Sequence, residues 1–155
     1  KPVELSGRYA EIRFVDQAGA LAEPGGMDQA QKLPVMDVRF VPPGSTSNSG
    51  IPGLALIDTG CDFTHMAPSI LDATTDRHVR SVSVAGVSGG VDTHAYDCTI
   101  LIPLNDGSIL PVETDAIRSN GIEGRAYVAL IGRSLFQHGR LVMDYKARIF
   151  RFYID

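Results

Sequence analysis

Leu54-Ala55-Leu56-Ile57-Asp58-Thr59-Gly60-Cys61-Asp62-Phe63-Thr64 is an apolar run that stops at a carboxylate. A short apolar run bounded by turn residues reads as a buried strand. A carboxylate at the end of such a strand is costly unless something there needs it. Thr59 and Gly60 directly after it suggest a tight turn, with a hydroxyl available to the local backbone. Upstream, residues 34–41 alternate, with Val38 and Phe40 apolar and Asp37 and Arg39 charged. Residues 42–50 form a polar loop rich in Pro, Gly, Ser and Asn, longer than an ordinary hairpin connection. The pattern is a strand, a loop and a returning strand that delivers Asp58 at its end.

A second signal follows at Ala129-Leu130-Ile131-Gly132-Arg133-Ser134-Leu135-Phe136. Aliphatic residues run into Gly132, and a short helix is expected over residues 134–138. The pair of segments resembles the retropepsin family of aspartic proteases, whose retroviral members carry Asp-Thr-Gly-Ala-Asp early and an aliphatic-aliphatic-Gly-Arg segment late. The resemblance covers residues 35–153. It implies an all-β, retropepsin-like acid-protease β-barrel with one short helix, with Asp58, Thr59 and Gly60 on the catalytic triplet. It also implies an ion pair between Asp62 and Arg133 beside the site. If fully buried, breaking one side of that pair is expected to cost about 3–5 kcal/mol. Cys61 departs from the family's small Ala or Ser. It reads as a small buried residue, a residue narrowing a substrate pocket together with Gly132, or an oxidation-sensitive thiol.

The bulk numbers bound the answer. A chain of 155 residues makes one domain with a real core. A net charge of −4 gives no basic footprint for nucleic acid. No apolar stretch has the length of a membrane-spanning helix. The abundance of Gly, Pro, Val and Ile argues for an all-β class. Cys61 and Cys98 make no disulfide framework and are read as free thiols, which favours a reducing compartment. The start at Lys1 is read as a processed product or a fragment of a larger protein. His65, His78, His94 and His138 show no metal spacing, and no cofactor is expected.

Residues 8–15 are expected to form one strand, followed by an irregular connection. We divide the chain into residues 1–33, an N-terminal strand and connection that is a candidate for dimer formation, and residues 34–155, the catalytic domain. Residues 79–86 and 93–102 alternate around a glycine-rich tip, Gly86-Val87-Ser88-Gly89-Gly90, able to take positive φ. By the resemblance this hairpin is the flap that closes over bound peptide. Residues 109–117 are a further strand, and residues 140–145 and 148–153 a closing hairpin.

Aspartic proteolysis needs two carboxylates on one water, sharing a proton. The chain holds no second Asp-Thr-Gly or Asp-Ser-Gly, and Asp106-Gly107-Ser108 has the wrong order. The expected function is therefore an aspartic endopeptidase working as a homodimer on an extended peptide, with Asp58 donated by each copy. The alternative is a catalytically silent domain of the same fold that binds peptide or dimerises. A structural β domain with a coincidental motif is a third reading.

Overall fold

A computed structural model of the chain describes residues 5–25, 32–45, 49–74, 78–86 and 89–155. Val87 and Ser88, at the expected flap tip, lie outside them. The elements in chain order are β1 (Tyr9–Glu11), β2 (Arg13–Val15), β3 (Leu33–Val41), β4 (Ile51–Ile57), β5 (Thr64–Met66), α1 (Pro68–Thr74) and β6 (His78–Gly86). They continue with β7 (Gly89–Pro103), β8 (Ile109–Arg118), a 3-10 turn at Asn120–Ile122, β9 (Ala129–Ile131), α2 (Arg133–Phe136), β10 (Arg140–Asp144) and β11 (Ile149–Tyr153).

The alternating pattern of β3 places Met36, Val38 and Phe40 inside and leaves Asp37 and Arg39 exposed. β3 pairs antiparallel with β4, with Phe40 opposite Ile51. β4 then runs parallel to β9, β9 antiparallel to β5, and β5 parallel to β8. β8 pairs with β7, and β7 returns to β3 at Arg39–Val41. The sheet closes on itself as a six-stranded barrel, which leaves those strands few open edges. Side chains from several strands fill it, among them Met36, Phe40, Met66, Ile100 and Ile131, each almost wholly buried.

The expected strand over residues 8–15 is divided in two. Ile12 is 3% exposed, and its N–H bonds Phe150 O at 3.0 Å. On its N-terminal side β1 pairs with β11; on its C-terminal side β2 pairs with β3. The burial of Ile12 thus turns the chain from a three-stranded sheet, β1-β11-β10, into the barrel sheet. A second short helix, α1, joins the one expected after Gly132. Pro68 opens it, where a missing N–H is harmless, and Glu123 Oε1 accepts the free N–H of Ser69 at 2.8 Å. The aliphatic run into Gly132 is a strand at Ala129–Ile131, and just before it Val128 N–H bonds Leu54 O at 2.9 Å.

Candidate active site

The two signal segments meet. Parallel pairing sets Ile57 opposite Ile131. At the end of that ladder the N–H of Asp58 donates to Ile131 O at 3.0 Å. The chain then reverses through Thr59 and Gly60, and Cys61 N–H donates back to Asp58 O at 3.2 Å. Gly60 N–H donates to Asp58 Oδ1 at 3.0 Å, which fixes one oxygen of the carboxylate. No other hydrogen bond to that carboxylate forms among the described residues. Asp58 is half-buried, while Thr59 and Gly60 are exposed.

Gly60 and Gly132 serve different ends. A Cβ at Gly60 would lie 3.3 Å from Asp58 Oδ1, so a side chain there would crowd the carboxylate. Gly132 is buried, and a Cβ on it would come within 2.3 Å of Cys61 O and 2.9 Å of Phe63 O. Only glycine lets the second segment lie this close to the turn. The contact is used: Arg133 N–H donates to Cys61 O at 2.9 Å, and Ser134 N–H to Asp62 O at 3.0 Å. These first N–H groups of α2 lack partners inside their own helix, and carbonyls of the turn after Asp58 supply them.

Arg133 sends its guanidinium back across the same turn. Nη1 donates to Thr59 O at 2.8 Å, and Nη2 pairs with Asp62 Oδ1. The side chains are 56% and 68% exposed, so the pair is not the buried one considered from sequence. Water screens it, and its Coulombic worth falls to about 0–1 kcal/mol. Its contribution is geometric: one planar fork holds a backbone carbonyl and a carboxylate on either side of Gly60.

Cys61 and Cys98 are free thiols. Cys61 is half-buried and its thiol donates to Phe63 O at 3.1 Å. Burial, with the charges of Asp58 and Asp62, pushes its pKa up, which opposes thiolate formation. Cys98, in the barrel wall, is pushed up to about 12 by burial.

His65 is a neighbour that the sequence did not single out. It stands on β5, opposite Leu130 of β9, and its Nδ1 lies 2.6 Å from Ser119 Oγ. Burial lowers its pKa, and the charge of Asp58 works against that shift. The signal would have been the pairing of β5 with β9, which is not visible in a linear pattern.

The β6–β7 hairpin leaves the barrel close by. Ala95 faces Ile117 of β8, and Ile117 faces His65 of β5. Beyond His94 the hairpin pairs only with itself, up to Gly86 opposite Gly89 and Ala85 opposite Gly90. It is thus an arm rooted beside the strand that follows the Asp58 turn.

A closed barrel, a strand ending at Asp58, and an Ile-Gly-Arg segment locked across its turn reproduce the architecture implied by the motif pair. The fold is retropepsin-like. Among solved structures the chain is similar to the solution structure of simian foamy virus (mac) protease, at 17% identity and a TM-score of 0.44. That match covers 64% of this chain and 88% of the other. It is also similar to EIAV protease complexed with the inhibitor HBY-793, at 18% identity and a TM-score of 0.45, covering 77% of this chain and 100% of the other. No family model matches the chain, and no curated protein does. Among the described residues no His, Cys, Asp or Glu cluster suits a metal ion. No helix there is long and apolar enough to cross a membrane.

Proposed function

We propose that the protein is an aspartic endopeptidase that works as a homodimer, with the Asp58 carboxylates of two copies sharing one proton. The observation that carries this reading is the state of Asp58. It is half-buried at the end of a closed barrel, has one oxygen fixed by Gly60 N–H, and forms no ion pair among the described residues. A merely structural turn carboxylate at this position gains nothing from the further locking by Arg133 and Ser134. A catalytic one does, because a reacting group must be held in place.

One chain offers one such acid, and two-fold symmetry supplies the other. Two carboxyls in contact cannot both ionise cheaply, so one keeps its proton and hydrogen-bonds the substrate carbonyl. The other takes a proton from water as the oxygen attacks the carbonyl carbon. Collapse of the tetrahedral intermediate breaks the C–N bond, and a proton passes to the leaving amine. Thr59 is exposed, and its hydroxyl has no partner among the described residues. In the dimer it would bond the partner's turn. Cys61 and Gly132 stand beside the turn where a substrate side chain would sit. The arm at Gly86, Gly89 and Gly90 would close over an extended peptide, adding strand-like hydrogen bonds and excluding water.

The test compares wild type with Asp58→Asn on casein, an unstructured substrate, from acid to neutral pH. Fragments from the wild type alone support the proposal. Equal cleavage by both would assign the activity to another group. An intact substrate with a dimeric wild type would favour the silent binding domain.

A further inference from the structure

Where β5, β7, β8 and α2 come together the packing is incomplete. The register sets Ile100 of β7 opposite Val112 of β8, with Ile102 next along the same face. These three, with Leu135 of α2, form the apolar walls of a cavity of about 60 Å³. Thr64 of β5, wholly buried, and Ser134 of α2 also line it. Val112 is half-exposed, and Glu113 and His138 stand exposed at the rim, so one side opens to solvent.

One polar atom at this cavity is unsatisfied. Ser134 Oγ is shut off from solvent and has no hydrogen-bond partner among the described residues. A buried hydroxyl left unpaired costs stability, and native structures seldom accept one without an occupant beside it. The backbone N–H of Ser134 is already bonded to Asp62 O, so the hydroxyl alone is on offer. Ser134, His138 and Glu113 share this space without forming a hydrolytic relay, because Ser134 Oγ bonds neither of the other two.

Walls and hydroxyl together define the occupant. A charge among Ile100, Ile102 and Leu135 would lose its hydration and gain no counter-ion there. A neutral hydroxyl can bond Ser134 Oγ and leave an alkyl group to the walls. Size sets the upper bound: an apolar cavity of about 150 Å³ takes benzene, and one water needs about 10–15 Å³. A cavity of about 60 Å³ takes roughly three to five non-hydrogen atoms.

We propose that this cavity is a binding site for a short-chain, uncharged alcohol, whose hydroxyl bonds Ser134 Oγ and whose alkyl group packs on Ile100, Ile102 and Leu135. The site reports to Asp58. Thr64 ends the first signal segment, and Ser134 and Leu135 belong to the second. The two segments are tied by Arg133 N–H on Cys61 O and Ser134 N–H on Asp62 O. An occupant touching both therefore braces the Asp58 turn and raises cleavage. That last step rests on the protease reading; the site itself does not.

The test titrates isobutanol into the full chain, labelled with 15N, and follows the amide shifts. Wild type shows saturable shifts at Thr64, Ser134 and Leu135, with a dissociation constant in the millimolar range for so few atoms. The amides of Gly60 and Cys61, both bonded to Asp58, move with the same constant. Ser134→Ala removes one hydrogen bond to the alcohol and lowers affinity about three- to tenfold. It gives up no partner within the described chain, so it keeps its stability. Val112→Phe fills the cavity from its open side and abolishes binding, and its own spectrum shows whether it folds. Isobutyrate and isobutylammonium, alike in shape but charged, do not bind. Shifts that never saturate, an unchanged affinity in Ser134→Ala, or equal binding of the charged analogues would each overturn the site. Saturable binding that leaves Gly60 and Cys61 unmoved overturns the link to Asp58. Casein cleaved faster with isobutanol by wild type, and not by Val112→Phe, supports the whole. Saturable binding without any cleavage overturns the protease reading alone.

Discussion

Gly132 has less room for a side chain than Gly60. With a methyl group 2.3 Å from Cys61 O, either the Asp58 turn or β9 must move. Gly132→Ala is expected to cost about 1–3 kcal/mol of stability, the range for overpacking a close contact. It should also reduce casein cleavage, because the turn carries Asp58 and Ile131 O of β9 accepts its N–H; urea denaturation beside the cleavage assay checks both. Arg133 makes the opposite case. Its pair with Asp62 is exposed, so a double-mutant cycle of Asp62→Ala and Arg133→Ala on stability should give a coupling below about 1 kcal/mol. Arg133→Ala additionally frees Thr59 O, so it should reduce cleavage more than Asp62→Ala does. Equal losses in the two single variants would mean that the carboxylate, and not the carbonyl, is what Arg133 holds.

α1 shows what an element gains from context. Its seven residues are too few to be stable alone. It exists because Leu71, wholly buried, fixes it to the barrel and Glu123 caps it from the loop after β8. Leu71→Ala should therefore cost about 2–5 kcal/mol, read by thermal or chemical denaturation. In sequence, residues 66–71 read as a strand end or a short helical turn, and that anchor, invisible in the linear pattern, decides for the helix. β3 and the run into Asp58 were legible because period-two alternation and an abrupt carboxylate are local signals. The division of residues 8–15 was not. Ile12 continues the strand pattern, and only the position of Phe150, far along the chain, makes it the point of transfer between sheets. The same reason hid His65. Its nearness to Asp58 comes from β5 lying against β9, a long-range pairing. The meeting of Asp62 with Arg133 was implied by the resemblance of the motif pair, whereas the contacts of Asp58 were not, and the exposure of the ion pair depends on how far α2 stands out of the barrel.

Across the molecule, the groups that titrate on the acid side lean one way. His65 has a folded pKa below its ordinary value of 6.5, chiefly because burial disfavours the cation. The unfolded chain therefore takes up that proton first, and stability falls as pH drops below 6.5. Asp72 beside Arg118, Asp106 with Ser108, Glu123 with Ser69 and Asp155 beside Arg8 are all held below the usual carboxylate range by those hydrogen bonds. Each contributes stability above the ordinary carboxylate pKa and loses it as pH falls through the lowered value. The two sets act in sequence, histidine first and carboxylates after. Melting temperature is expected to decline from neutral pH downward in two stages. His65→Gln, which keeps a hydrogen-bonding group toward Ser119 Oγ, should flatten the upper stage and leave the lower one. If both proteins show the same upper slope, the proton taken up there belongs to another group, and the burial of His65 is not what the barrel defends against acid. The distinction bears on the protease reading, because β5 joins His65 to the strand pair that supports the Asp58 turn. Loss of cleavage at mildly acid pH that His65→Gln restores would trace to that wall of the barrel. A loss that persists in His65→Gln would trace to a group outside that wall.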